Sequence, residues 1–302
     1  MGTISKSIKV LVLGHKGFLG SHLVNYLREK GYKVKTFPVN KTLTNYDNVI
    51  EATRNVDWVF SMAASMGGVG FFSQQNYYPT ISNFLIDLNV LLACEHNKVK
   101  RLFYPASACA YSTHLMNDGY KLAEHMLDYP AEPDQMYGWE KLTMIKLMKY
   151  SPIDCRIGVL HTIYGKRQAY EGKKAKFPPQ IAYKAIRAVK SGEIEVWGDG
   201  TQTRTFLYID DAIRKIMAVM EDDNYWGPVN IGSSKEVTVN DVVKVCCDIL
   251  EIKPQIKYNL DKPVGPKRRR CSNEKYNKHY GKYDEVSLKN GFTQLIKYIQ
   301  NE

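Results

Sequence analysis

A strand, a glycine loop, a helix and a second strand follow one another at the start of this chain, and few folds accommodate that order. Ile8 to Leu13 is apolar apart from Lys9, and Gly14-His-Lys-Gly17-Phe-Leu-Gly20 ends the run. Leu19, Leu23 and Leu27 then recur at helical spacing, Gly31 closes the helix, and Tyr32 to Phe37 opens the next strand. Glycine presents no Cβ, so the first amides of such a helix can approach a pyrophosphate, whose charge the helix dipole favours. Gly14, Lys16, Gly17, Phe18, Leu19 and Gly20 are therefore candidate cofactor contacts. The expected fold is α/β, a Rossmann-type doubly wound parallel sheet.

The strands continue downstream. Asp57 to Phe60, Lys100 to Tyr104 and Asp154 to Leu160 read as buried strands, with a helix from Asn83 to His96. The loop Ser61-Met-Ala-Ala-Ser-Met-Gly-Gly-Val-Gly70 adds Ala63 and Ala64 to the cofactor set, and Gly67 and Gly68 permit close backbone approach to a ligand. In Phe103 to Tyr111, Ser107 and Cys109 stand two apart, so an extended segment projects both to one side. A buried strand end is the plainer reading of that pair, since free cysteine is commonly buried. Tyr137 and Lys141, four apart on one helical face, form a proton-handling pair that tips the balance towards an enzyme.

With 302 residues the chain is long enough for one large or two modest domains. The expected division is a dinucleotide-binding part over 1–160 plus about 206–232, and a smaller, α-rich lobe over about 161–205 plus 233–302. Pro178 and Pro179 read as a break before a helix that resumes at Ile181. No apolar run reaches the length of about 18 needed to span a membrane, and no signal-peptide pattern opens the chain, so a cytoplasmic protein without membrane association is expected. The six cysteines show neither metal-ligand spacing nor a disulfide framework, and no metal is expected. A net charge of +11 favours an anionic partner. Nucleic acid, a phosphorylated sugar and a nucleotide all qualify; the surplus is scattered, with one dense block at Lys267 to Arg270 and no extended basic tail, and reads mostly as solvated surface.

The acidic residue that would hold a ribose 2′-hydroxyl at the end of the second strand is missing near Phe37. Lys16, Lys35 or Lys41 could meet a 2′-phosphate instead, so the residues leave NAD and NADP both open.

Taken together, Met66-Gly-Gly-Val-Gly70, Ser107-Ala-Cys109, Pro130 to Pro133 ahead of Tyr137-Gly-Trp-Glu-Lys141, Cys155 to Gly158, Trp197-Gly-Asp-Gly-Thr-Gln-Thr-Arg204 and Pro228 to Gly232 resemble the extended short-chain dehydrogenase/reductase superfamily. Within it the chain is most similar to the GDP-mannose 3,5-epimerases, with the GDP-L-fucose synthases as sister family. The resemblance covers nearly the whole chain and implies a nucleotide-sugar isomerase with a GDP-linked substrate, bound NAD and a homodimeric assembly. It implies acid/base roles for Cys109 and for Lys176, which stands where the fucose synthases carry a histidine; no histidine lies between His161 and His279. Ser107, Tyr137 and Lys141 would serve redox chemistry at a sugar C4, and Tyr137 and Lys141 would also meet the cofactor. Lys184, Gln202, Arg204, Arg268 and Arg270 would contact the nucleotide sugar beside Gly67, Gly68 and Thr162, the last of which replaces an expected Asn. A reductase of the fucose synthase type, a C4 dehydrogenase, and a non-catalytic NAD(P)-sensing or nucleic-acid-binding Rossmann protein are the alternatives.

Overall fold

The computed structural model describes residues 7–68, 71, 77–128, 130–172 and 174–302. Its main sheet has six parallel strands in the order β10-β6-β4-β3-β1-β2: β1 (Lys9–Leu13), β2 (Lys33–Thr36), β3 (Trp58–Ser61), β4 (Arg101–Ser107), β6 (Asp154–Leu160) and β10 (Val229–Ile231). Alternation along β1 explains the two helical layers. Val10 and Val12 face Leu23 and Leu27 of α1 (Phe18–Glu29), with α7 (Ile209–Glu221) alongside; Leu11 and Leu13 face Val49 of α2 (Tyr46–Thr53) and Val90 of α3 (Tyr77–His96). This is the expected doubly wound α/β fold. The polypeptide reverses its direction of travel across the sheet between β1 and β3, so the carboxyl ends of β1, β3, β4 and β6 open onto one crevice.

The second part carries short β-strands beside the helices expected of it. β9 (Thr203–Tyr208) pairs with β7 (Thr162–Tyr164), β11 (Glu236–Thr238) and β13 (Arg268–Cys271), and β13 reaches β5 (Lys121–Leu122). β8 (Glu193–Trp197) and β12 (Gln255–Asn259) form a separate parallel pair. β9 therefore lies in the second sheet, while α7 and β10 return to the first. Helices α6 (Phe177–Ser191), α8 (Val239–Leu250) and α10 (Leu288–Gln300) pack on one another around it.

Two local expectations are corrected. Pro178 and Pro179 do not precede a helix but occupy the first turn of α6, where a missing N–H costs nothing because it would have no intrahelical partner. β4 ends at Ser107, and Ala108–Ala110 form a 3-10 turn, so Cys109 is not the next strand position on that side. The Cys109 N–H instead donates to Ser107 Oγ at 3.2 Å, which holds the two residues together by a turn.

That turn is locked against α5 (Gln135–Met148). A Cβ on Gly138 would stand 2.2 Å from the Cys109 carbonyl oxygen and 2.9 Å from Pro133 Cβ. Gly138→Ala is therefore expected to destabilise the protein by about 1–3 kcal/mol through overpacking, read as a lower denaturation midpoint at unchanged m-value. An unchanged midpoint would show that the turn can move away from the helix. No helix among the described residues is long and apolar enough to cross a membrane.

Candidate active site

The glycine loop leaves β1 at Gly14, whose φ of +74° favours glycine. A Cβ there would stand 2.7 Å from the Ala63 backbone, so the segment after β3, with Ala63 and Ala64, lies directly beside the loop. On Gly20 it would stand 2.2 Å from the Gly14 oxygen, which explains the close seat of α1. Gly17 caps α1 with no side-chain hydrogen bond and no acidic residue follows in the first turn, leaving the Phe18 and Leu19 end of the helix suited to a pyrophosphate. These features fit a dinucleotide. Of the three lysines considered for a 2′-phosphate, Lys35 donates to the Ala52 carbonyl at 2.7 Å and Lys41 pairs with Glu51, both on α2, while Lys16 stands exposed in the loop.

Ser107 at the end of β4 and Tyr137 on α5 stand close enough for the Ser107 hydroxyl to act on the phenol. Burial pushes the Tyr137 phenol up from its ordinary pKa, against the lowering pull of Lys141 and the Ser107 hydroxyl. Lys141 Nζ lies 5.7 Å from the Tyr137 ring centre and does not line the cavity in front of it.

That cavity, of about 520 Å³, lies between the sheet's carboxyl edge and the second part of the chain. It brings together Ser107, Cys109, Tyr137 and Lys176 with Gly67, Gly68, Thr162, Lys184, Gln202 and Arg204. A Cβ on Gly68 would stand 2.8 Å from the Ala175 oxygen, so glycine there lets the loop after β3 touch the segment that carries Lys176. Val69 and Gly70 of the same motif lie outside the described residues. Lys176 is the residue before α6 and makes no side-chain cap. Burial lowers its ammonium pKa and nearby Arg269 adds to this, while Cys109 opposes both. Lys184 pairs with Glu195 at 3.0 Å, Gln202 donates to the Trp197 carbonyl at 3.1 Å, and Arg204 donates to the carbonyls of Thr203 and Val264 at 2.7 and 3.1 Å.

The basic block is placed differently from the expectation. Arg268 is exposed beside Gly119, and Arg270 pairs with Glu236 at 2.8 Å and donates to the Gly119 carbonyl at 2.9 Å; neither lines the cavity. Arg269 does. Side chains alternate along β13, and its pairing with β9 sets Arg269 opposite Arg204, which also faces the cavity. Arg269 is held by Asp134, at 2.5 Å and just ahead of α5; the charges of Cys109 and Asp134 together outweigh the lowering effect of burial and raise the guanidinium pKa. Sequence reading missed Arg269 and Asp134, along with His161 at the end of β6, which also lines the cavity. Strand parity could have offered Arg269 as the alternative to Arg268 and Arg270, but only the partner strand decides between them. Among the described residues, no group of three or more His, Cys, Asp or Glu is placed to hold a metal.

Residues 10–232 match the family model described as "NAD dependent epimerase/dehydratase family". GDP-mannose 3,5-epimerase of Arabidopsis thaliana is 31% identical over 99% of this chain and 84% of its own length. Putative GDP-L-fucose synthase 2 of the same plant is 26% identical over 99% and 94%. The crystal structure of a GDP-L-fucose synthetase from Naegleria fowleri bound to NADP superposes with a TM-score of 0.83 at 18% identity, covering 99% of this chain and 95% of that one. A matched model over most of the chain, the glycine loop, and Ser107, Tyr137 and Lys141 on adjoining elements lead to one conclusion: the chain is an enzyme that belongs to the NAD dependent epimerase/dehydratase family of extended short-chain dehydrogenases/reductases.

Proposed function

We propose that this enzyme epimerises a GDP-linked sugar of the GDP-mannose type at C3 and C5 by way of a transient C4 ketone. The observation that carries the reading is the meeting of two proton-handling sets in one cavity: Ser107 with Tyr137, and Cys109 with Lys176. A C4 dehydrogenase has use for the first set alone. The similarity to a GDP-mannose 3,5-epimerase favours the same answer.

Gly14, Gly17, Gly20 and the start of α1 would hold NAD or NADP, with Ala63 and Ala64 alongside. When bound, the nicotinamide supplies reversible hydride acceptance from C4. Tyr137 takes the C4 hydroxyl proton as the carbonyl forms and returns it at the end, and Ser107 donates a hydrogen bond to that oxygen. Lys141 favours the tyrosinate by its charge. The ketone acidifies the hydrogens at C3 and C5; Cys109 removes a proton from one face and Lys176 delivers one to the other. The lowered pKa of Lys176 brings a group that is ordinarily too basic closer to neutral proton exchange. Gly67, Gly68 and Thr162 border the sugar end, while Lys184, Gln202, Arg204 and Arg269 serve the nucleotide end. A homodimer is part of this reading, supported by exposed Tyr78, Ile81 and Leu85 on α3 and Met136 and Trp139 on α5.

Arg269→Ala is expected to raise the substrate KM about 10- to 150-fold and spare cofactor affinity, since one charge-assisted diphosphate contact contributes about 1.5–3 kcal/mol. Arg268→Ala should leave KM within about twofold, because an exposed arginine outside the cavity has no such contact to lose. The reverse ranking would place the diphosphate elsewhere. The reaction itself is tested by mass spectrometry in deuterated water with GDP-, UDP- and dTDP-linked sugars: label and isomerised product are expected with GDP-mannose and no added reductant. Net reduction dependent on NADPH would show a reductase instead.

A further inference from the structure

Behind Tyr137, Lys141 sits in a buried charged cluster whose other members the proposed chemistry leaves without a role. Lys141 Nζ is 3.2 Å from Asp87 Oδ2, 2.7 Å from Glu140 Oε1 and 3.0 Å from the Tyr104 hydroxyl; it donates to Asp87 and Tyr104 and forms an ion pair with Glu140. Tyr104 donates in turn to Asp87 at 2.8 Å. The side chains of Lys141, Asp87 and Glu140 are 3%, 2% and 0% exposed, so water does not screen them. Asn83 Nδ2 donates to Glu140 Oε2 at 3.3 Å, and its Oδ1 accepts from the Ser65 N–H at 2.7 Å, tying the cluster to the loop after β3.

Two carboxylates around one ammonium leave an uncompensated negative charge when both are ionised. Burial opposes that state. Lys141 keeps its proton, since Asp87, Tyr104 and Glu140 together outweigh the burial that would lower it. Glu140 is the member that burial holds well above the usual carboxylate range, with Asp87 adding to the effect and Lys141 opposing it. Among the described residues the groups that face it belong to the same network: Lys141 and Tyr137 on α5, Asp87 and Asn83 on α3, Tyr104 on β4.

We propose that Glu140 is a positioning residue whose proton sets the net charge beneath Tyr137, acting through Lys141 and Asp87. With Glu140 protonated the cluster is neutral and the phenol ionises more readily; with Glu140 ionised it is negative and the phenol keeps its proton. The inference rests on the proposed role of Tyr137 as proton acceptor, and it couples the phenol to a second titrating group behind it.

The test has an arm that needs no substrate. Carbon-13 NMR of glutamate carboxyls in the intact protein should show Glu140 titrating above the exposed glutamates, told from Glu124, which burial also raises, by its loss in Glu140→Gln and its downward move in Asp87→Asn. The Tyr137 ring carbon, assigned by its loss in Tyr137→Phe, should shift with the same midpoint in the wild type and lose that response in Glu140→Gln. A Glu140 that titrates with the other glutamates, or a Tyr137 ring indifferent to it, overturns the inference. In the second arm, Glu140→Gln should move the pH profile of hydride transfer to lower pH by on the order of one unit, because one negative charge is gone. A variant with a lower Tm but an unmoved profile assigns Glu140 to packing alone and also overturns it. A wild type that transfers no hydride defeats the proposed reaction instead, and the NMR titration still decides the charge coupling.

Discussion

Tyr137→Phe is expected to lower the rate of hydride transfer by about 10²–10⁴-fold while the protein stays folded and still binds its cofactor. Phenylalanine fills the same space on α5 and keeps the aromatic face that Lys141 approaches at 5.7 Å, so only the hydroxyl is lost. A hydroxyl's hydrogen bond contributes about 1 kcal/mol to stability, too little to unfold a domain. The rate loss is larger because no other group of the pair can accept the C4 proton: Ser107 is a hydrogen-bond partner with no base of its own. A single-turnover experiment, following reduced nicotinamide by absorbance with enzyme in excess, isolates the step. A rate within tenfold of wild type would remove Tyr137 from the mechanism. The wild-type profile carries its own check. Burial holds the phenol above its ordinary range, so at neutral pH it is protonated and the tyrosinate fraction grows about tenfold per pH unit. Oxidation at C4 should therefore speed up as pH rises, and the return of the proton should not.

The parts of the site legible in the sequence are those whose geometry is set within a few residues. The glycine loop needs only a strand before it and a helix after it, and Tyr137 and Lys141 share a face because a helix repeats at that spacing. Ser107 and Cys109 come together by the Cys109 N–H bond to Ser107 Oγ rather than by strand alternation, which is the only route that their spacing suggests. Which arginine of the basic block faces the cavity depends on the register of β13 against β9, some sixty residues away in the chain, and no local pattern fixes it. Asp87 lies 54 residues before Lys141, and sequence spacing gives no sign that the two meet. The second sheet escaped notice for a related reason: β5, β7 and β11 have two or three residues each, too short for any periodicity to show.

Cys109→Ala and Lys176→Ala should fail in a manner unlike Tyr137→Phe, and unlike each other. Neither change disturbs the scaffold. The contacts that bind the Cys109 turn to α5 run through its backbone carbonyl, which accepts from the Asp134 N–H at 2.9 Å, and Lys176 makes no side-chain cap on α6, whose first turn is shaped by Pro178 and Pro179. Both variants should bind the nucleotide sugar and reduce the cofactor transiently, because Ser107 and Tyr137 remain, yet each should lower epimer formation by about 10²–10⁴-fold, the usual contribution of a positioned acid or base. Deuterated water separates the two. Without Cys109 no proton leaves C3 or C5, so recovered substrate should carry no label. Without Lys176 the proton can still leave, and Cys109 can return a deuteron to the face it came from, so the substrate should gain label with its configuration retained. Exchange lost in both variants would make the two a single relay, and exchange kept in Cys109→Ala would assign the base to Lys176. If wild-type enzyme with bound, redox-competent cofactor gives no label at either carbon from any nucleotide sugar, the C4 ketone goes no further, and the protein is a C4 dehydrogenase or reductase in which Cys109 and Lys176 only shape the cavity.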